Sequence, residues 1–279
     1  MGRRPERVSH GPRSGIAPPN DNCRYDCLLG SPSPLIDAKP RIMACLGSSS
    51  TAGKGQAYDW IGELKRRTRN QGISFFNFGV GGDLAYNALQ CLPAVLACHP
   101  SRVVVLIGGN DVLALVSKTA RRFFRIAKHL PTEPSPKWFR ENLRAIAQQF
   151  KIEGSAAIAL CSLPPIGEDP ASAHPFQREL NRRIEEYSAS IKEIAREESV
   201  GYLPVYETML AKIVAVPGRA CTSFRFFPFY RDAFRVSVLR KSPDEVGRLN
   251  GWHFHTDGVH LNSRGGMIVA DLVQQFIDR

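Results

Sequence analysis

Two stretches of the chain carry the residue types that acyl transfer to a hydroxyl requires. Asp257-Gly258-Val259-His260-Leu261-Asn262 sets a carboxylate three residues ahead of an imidazole. At that spacing one loop can fold back so that the carboxylate meets the ring Nδ1–H. The tautomer is then fixed, and Nε2 is left to accept a proton. Far upstream, Gly47-Ser48-Ser49-Ser50-Thr51-Ala52-Gly53 offers serine hydroxyls among small residues that can turn tightly at a strand end. The chemistry also needs donors for an oxyanion. Gly82 allows an acyl group to approach a backbone N–H closely, and Asn110 can supply a side-chain amide without adding charge. Each feature taken singly also has an ordinary explanation: a Gly/Ser turn, a histidine approaching a helix, an Asn-Asp cap.

These groups become useful only if the fold gathers them. Three apolar runs read as strands: Arg41–Leu46, Ile73–Phe78 and Arg102–Ile107, the last with Val103 to Ile107 unbroken. They end in Gly47-Ser48-Ser49-Ser50, Gly79-Val80-Gly81-Gly82 and Gly108-Gly109-Asn110-Asp111 respectively. Ala156–Cys161 and Val200–Val205 read as further strands. Helical periodicity covers Ala57–Arg69, Leu84–Leu96, Trp138–Phe150, Pro175–Glu198 and Ser263–Ile277, with Ser263 as a candidate N-cap. Apolar strands alternating with helices predict a parallel sheet covered on both faces. Right-handed crossovers then bring all the strand C-terminal ends to one edge, where ligands bind. Ser49, Gly82 and Asn110 each follow a predicted strand, so they are expected to converge at that edge.

In this order the motifs resemble those of the SGNH hydrolases, the GDSL-type esterases and lipases. Gly47, Ser49, Thr51 and Gly53 match the first block of that family. Asn77, Gly79 and Gly82 match the second, Gly108, Asn110 and Asp111 the third, and Asp257 and His260 the last. The resemblance spans roughly residues 41–279. It implies a three-layer α/β/α sandwich with a central parallel sheet, flavodoxin-like. It singles out Ser49 as the nucleophile, with Asp257 and His260 completing the triad. It also implies an oxyanion hole built from the Ser49 N–H, Gly82 and Asn110. Ser48 stands where the family name has an aspartate. That aspartate is not a catalytic group, so the chemistry is expected to survive.

The activity implied is cleavage of a carboxylic ester, with a small-molecule or lipid ester as substrate and neither a metal nor an organic cofactor. On the same site, acyl transfer to another alcohol and carbohydrate O-deacetylation are alternatives. A non-catalytic ligand-binding or membrane-surface protein of the same fold is the alternative of another class. His253, His255, Asp257 and His260 form a metal-like cluster, but the D-x-x-H pattern already uses two of them. Gly79–Gly82 lacks dinucleotide-binding spacing, and Gly53-Lys54-Gly55 lacks P-loop spacing.

The 279 residues suffice for one large α/β domain. Residues 1–40, rich in Pro, Gly, Ser and Arg, are expected to form a flexible arm, and 41–279 the domain. Residues 206–255 carry Phe224, Phe226, Phe227, Phe229, Tyr230 and Phe234 among arginines and are expected to form a cap-like insertion. Phe123 and Phe124 are candidates to join it at the acyl pocket. The net charge of +11 concentrates in Lys118–Lys128 and Arg219–Lys241. This pattern fits solvated faces, or a basic rim that attracts an anionic substrate or membrane surface. No nucleic-acid-binding signature accompanies it. Seven scattered cysteines, two of them in strand-like runs, and no signal peptide or membrane-spanning run point to a reduced, cytoplasmic protein.

Overall fold

The computed structural model describes residues 41–153, 156–224 and 226–279; the N-terminal arm expected at 1–40 lies outside the described residues. Five strands form the sheet: β1 (Arg41–Gly47), β2 (Ile73–Gly79), β3 (Arg102–Leu106), β4 (Ala157–Cys161) and β5 (Gly201–Leu203). Their order is β2-β1-β3-β4-β5, with every pairing parallel. This is the flavodoxin-like order, and its switch point falls between β1 and β3.

Twelve helices accompany the sheet among the described residues. They are α1 (Ser49–Ala52), α2 (Trp60–Arg66), α3 (Ala85–Gln90), α4 (Leu92–Ala97), α5 (Gly109–Val116), α6 (Lys118–Ala127), α7 (Pro136–Glu153), α8 (Pro175–Glu197), α9 (Val205–Ala215), α10 (Phe226–Ser237), α11 (Pro243–Asn250) and α12 (Ser263–Ile277).

The central strands β1, β3 and β4 are buried on both faces, and the edge strands β2 and β5 only in part. Along β1, Ala44 and Leu46 pack into one apolar cluster with residues of α3, α4, α5, α7 and α8. Met43 and Cys45 pack into the other, with α2, α9 and α12. The period-two alternation of the side chains thus produces the three expected layers.

Several local expectations are corrected. Leu84–Leu96 is two helices broken at Cys91, because Pro93 lacks an N–H and its ring clashes with a continuing helix. Ala57–Arg69 shortens to α2, begun by Asp59, whose Oδ1 accepts the Gly62 N–H at 2.8 Å. A 3₁₀ turn follows at Thr68–Asn70. Asn262, not Ser263, caps α12: its Oδ1 accepts from the N–H groups of Arg264 and Gly265 at 3.0 and 3.3 Å. The last strand is shorter than Val200–Val205, since Val205 already opens α9. Cys98 is disulfide-bonded, against the expectation of a reduced set, while Cys45, Cys161 and Cys221 are free thiols.

In the 206–255 segment, Met209, Ile213 and Val246 are buried, while Phe224 and Tyr230 face the cavity described below. No helix among the described residues is long and apolar enough to cross a membrane.

Candidate active site

The serine turn is held from several sides. A Cβ on Gly47 would lie 2.2 Å from Thr51 Oγ1 and 2.4 Å from the Leu106 carbonyl, so only glycine lets β1 pass this close to α1 and β3. Asn77 Nδ2 donates to the Ala52 carbonyl at 3.2 Å, and its Oδ1 accepts the Gly79 N–H at 2.9 Å. The second motif block therefore ties the end of β2 to the serine helix. Trp60 Nε1 donates to the Ser50 carbonyl at 2.9 Å. Ser49 is the first residue of α1, directly after the sheet edge.

His260 reaches the serine from the other end of the chain. Its Nε2 lies 3.0 Å from Ser49 Oγ, and its Nδ1 lies 2.7 Å from Asp257 Oδ2. Asp257 Oδ1 also accepts the backbone N–H groups of Val259 and His260 at 3.0 and 2.8 Å. The carboxylate thus shapes the loop as well as facing the ring. Burial by itself would raise the Asp257 pKa. The His260 charge and hydrogen bond and these two backbone donors outweigh it, so the carboxyl sits below its usual range. Burial pulls the His260 pKa down, but the Asp257 charge and hydrogen bond push it above the ordinary histidine value.

The loop carrying both residues is anchored by a group that the sequence reading missed. Glu168, fully buried, accepts the backbone N–H groups of His253, Phe254 and His255 at 2.7, 2.7 and 2.9 Å. It also faces His255 Nδ1 at 2.8 Å, while His255 Nε2 lies 2.9 Å from the Pro165 carbonyl. His255 is thereby committed to Glu168, apart from the Asp257–His260 pair. The Gly167 N–H donates to the Gly258 carbonyl at 2.8 Å, and Thr256 Oγ1 to the Gln56 carbonyl at 2.7 Å. Nothing in the spacing relates Glu168 to a loop almost ninety residues away; only the fold joins them.

Gly82 and Asn110 line the same cavity as Ser49 and His260, which holds about 340 Å³. Gly82 sits at φ 80°, a left-handed conformation that a side chain would strain. Asn110 Nδ2 donates to the Asp83 carbonyl at 2.9 Å, which locks the amide beside the glycine turn. Asp111, fully buried, accepts the Ala85 N–H at 3.1 Å. Burial pushes its carboxyl up to about 7, against the pull of that bond and of its own backbone. Leu113, Phe123, Phe124, Phe224 and Tyr230 form an aromatic and aliphatic wall, with Lys54 and Gln56 also lining the cavity. All five sequence-derived positions, Ser49, Gly82, Asn110, Asp257 and His260, therefore meet at one place.

A doubly wound parallel sandwich with a hydroxyl, an imidazole and a carboxylate in one chain of hydrogen bonds at its sheet edge defines a class, the hydrolases of ester bonds. The sequence narrows it: residues 45–266 match the profile of the GDSL-like lipase/acylhydrolase family, and the chain belongs to that family. Among solved structures it is similar to an acetylxylan esterase from Geobacillus stearothermophilus. The identity there is 17%, over 86% of this chain and 94% of that one, with a TM-score of 0.59. It is also similar to a lipase/acylhydrolase from Enterococcus faecalis, at 19% identity over 85% of this chain and 95% of that one, with a TM-score of 0.54. At such identities these likenesses speak for the fold. Comparison with curated proteins returns no match.

Proposed function

We propose that the protein cleaves a carboxylic ester through an acyl-serine intermediate formed on Ser49. The observation that carries this reading is His260, whose Nε2 lies 3.0 Å from Ser49 Oγ while its Nδ1 lies 2.7 Å from Asp257. Ser49 Oγ attacks the carbonyl carbon as His260 takes the hydroxyl proton. The oxyanion is held by the N–H groups of Ser49 and Gly82 and the Asn110 amide. The tetrahedral species collapses and the alkoxide leaves with the proton from His260. Water then attacks the acyl-serine by the same path, releasing the acid and restoring the hydroxyl. Asp257 holds the imidazole in the useful tautomer and stabilises the imidazolium.

The aromatic wall supports an apolar acyl group larger than acetyl. A second reading, carbohydrate O-deacetylation, is favoured by the similarity to acetylxylan esterases. The test is labelling with a fluorophosphonate, read by intact mass, followed by a chain-length series of soluble esters. One adduct on the wild type and none on Ser49→Ala is expected, with kcat/KM peaking beyond acetate. An adduct on both proteins, or on neither, would sink the assignment of Ser49. Turnover of acetyl esters alone would favour deacetylation. Product analysis with an added acceptor alcohol would expose acyl transfer.

A further inference from the structure

Ten large apolar side chains are exposed among the described residues, and six of them lie on only two segments. Phe123 and Ile126 belong to α6; Tyr230, Phe234, Val238 and Leu239 belong to α10 and the residues just after it. Their exposures run from 38% for Phe123 to 78% for Ile126. Soluble proteins scatter such side chains singly, and a concentration of them marks a surface with a partner. Phe123 and Ile126 are three residues apart, and Tyr230 and Phe234 four, so each pair shares a helix face. The two segments border one opening, because Phe123 and Tyr230 both line the cavity that contains Ser49 and His260.

The charges on these segments point to the kind of partner. Arg125 pairs with Glu133, and Arg231 and Arg235 pair with the buried Asp232. Lys118, Arg122 and Arg240 are exposed and have no acidic partner among the described residues, while Lys241 lies near Glu245. A rim that mixes exposed aromatic and aliphatic groups with uncompensated cations suits the boundary of an anionic bilayer, where apolar groups enter the acyl region and cations meet the headgroups. A nucleic acid would use the cations but would leave Ile126, Val238 and Leu239 in water.

We infer that the α6–α10 rim docks the protein on an anionic lipid surface, with the catalytic cavity opening toward the bilayer. The inference builds on the ester-hydrolase reading for its purpose but not for its test. Binding is measured for the full chain by co-sedimentation with vesicles of phosphatidylcholine alone or with about a third phosphatidylserine, at low and high salt. The wild type and Ser49→Ala are expected to bind the anionic vesicles alike, so a failure of the catalytic assignment leaves this result intact. Binding should weaken at high salt. Arg122→Glu/Arg240→Glu and, separately, Phe234→Ser/Val238→Ser should each weaken it at least tenfold. These four side chains lie outside the catalytic cavity, so turnover of a short soluble ester should stay within twofold and report an intact fold. Absence of binding to anionic vesicles by the wild type overturns the proposal. So does binding to neutral vesicles that is equally strong and indifferent to salt, or binding to duplex DNA in place of vesicles.

Discussion

Lys128 Nζ lies 2.8 Å from Asp83 Oδ1, with 12% and 2% of the two side chains exposed. This pair secures the turn that presents Gly82. The Lys128 stem runs against Gly82, where its Cε would stand 2.8 Å from an added Cβ. The Lys128 carbonyl accepts Asn87 Nδ2 at 3.1 Å, and the Asp83 carbonyl accepts Asn110 Nδ2. Burial raises the Asp83 carboxyl above its usual value, and the Lys128 hydrogen bond and charge hold that rise in check. Lys128→Met keeps the stem but strands a buried carboxylate, which costs about 3–5 kcal/mol for such pairs. A turn shifted by an ångström is expected to lower kcat about 10²-fold, with KM moving less. Lys128→Met/Asp83→Asn removes both charges and should recover part of the loss. Steady-state kinetics on a soluble ester decides this, and equal losses in the single and double variants would count against it.

Asn110→Ala removes the tie to the Asp83 carbonyl and, in the proposed mechanism, an oxyanion donor. A fall in kcat of about 10²–10³-fold is expected, with ground-state binding little changed. Stopped-flow acylation isolates the step. If only KM rose, Asn110 would be a binding residue rather than an oxyanion donor.

The site was far more legible in the chain than its support was. Ser49, Gly82 and Asn110 could be placed together because each follows an apolar strand, and the sheet edge does the gathering. Asp257 and His260 are three residues apart and need only a local loop. Glu168 and the Lys128–Asp83 pair escaped because their partners are remote in sequence and their residue types are common on surfaces. Lys128 looked like one more member of a basic helix, and only packing separates it from Arg122. Helix α5 was masked by the Asn-Asp turn signal, which at Gly108 opens a helix rather than a loop. Helices α10 and α11 lay inside a stretch whose aromatic and arginine interleaving has no clean period.

The coupling of His260 to Asp257 sets the pH profile. The proposed mechanism uses neutral His260 as base, so kcat/KM should rise with pH through an ionisation above the ordinary histidine value of 6.5. Asp257→Asn removes the charge that holds this value up. The rise should then shift toward acid, while the rate at neutral pH falls about 10⁴-fold. The pair also bears on stability. The raised His260 contributes fully below the ordinary histidine value and is lost as pH climbs through its folded one. The depressed Asp257 contributes above the ordinary carboxylate value and is lost as pH drops through its folded one. A profile of kcat/KM from pH 5 to 9, taken as about four units across the ionisation, tests the kinetic claim. A Asp257→Asn limb at unchanged or higher pH would contradict it.

Glu168 links stability to the catalytic loop. Burial alone would raise its carboxyl. The His255 hydrogen bond and charge and the backbone donors of His253 and Phe254 more than offset this, leaving it below the ordinary value of 4.5. A depressed carboxylate stabilises the fold fully above its unfolded value, and that contribution drains away as pH falls through the folded value. The wild type should therefore lose thermal stability as the medium is acidified below pH 4.5, and Glu168→Gln should show a flatter acid limb. The amide can accept on one oxygen only, so some of the four donors lose their partner. Stability at neutral pH should drop by about 1–3 kcal/mol for each group left unsatisfied. The loop presenting Asp257 and His260 would loosen with it, so kcat should fall although residue 168 touches no reacting atom. His255→Gln separates the effects, because it keeps the carboxylate and its three backbone donors. It should retain more activity than Glu168→Gln. If both variants matched the wild type in melting temperature across the acid range, Glu168 would not be the anchor of the loop.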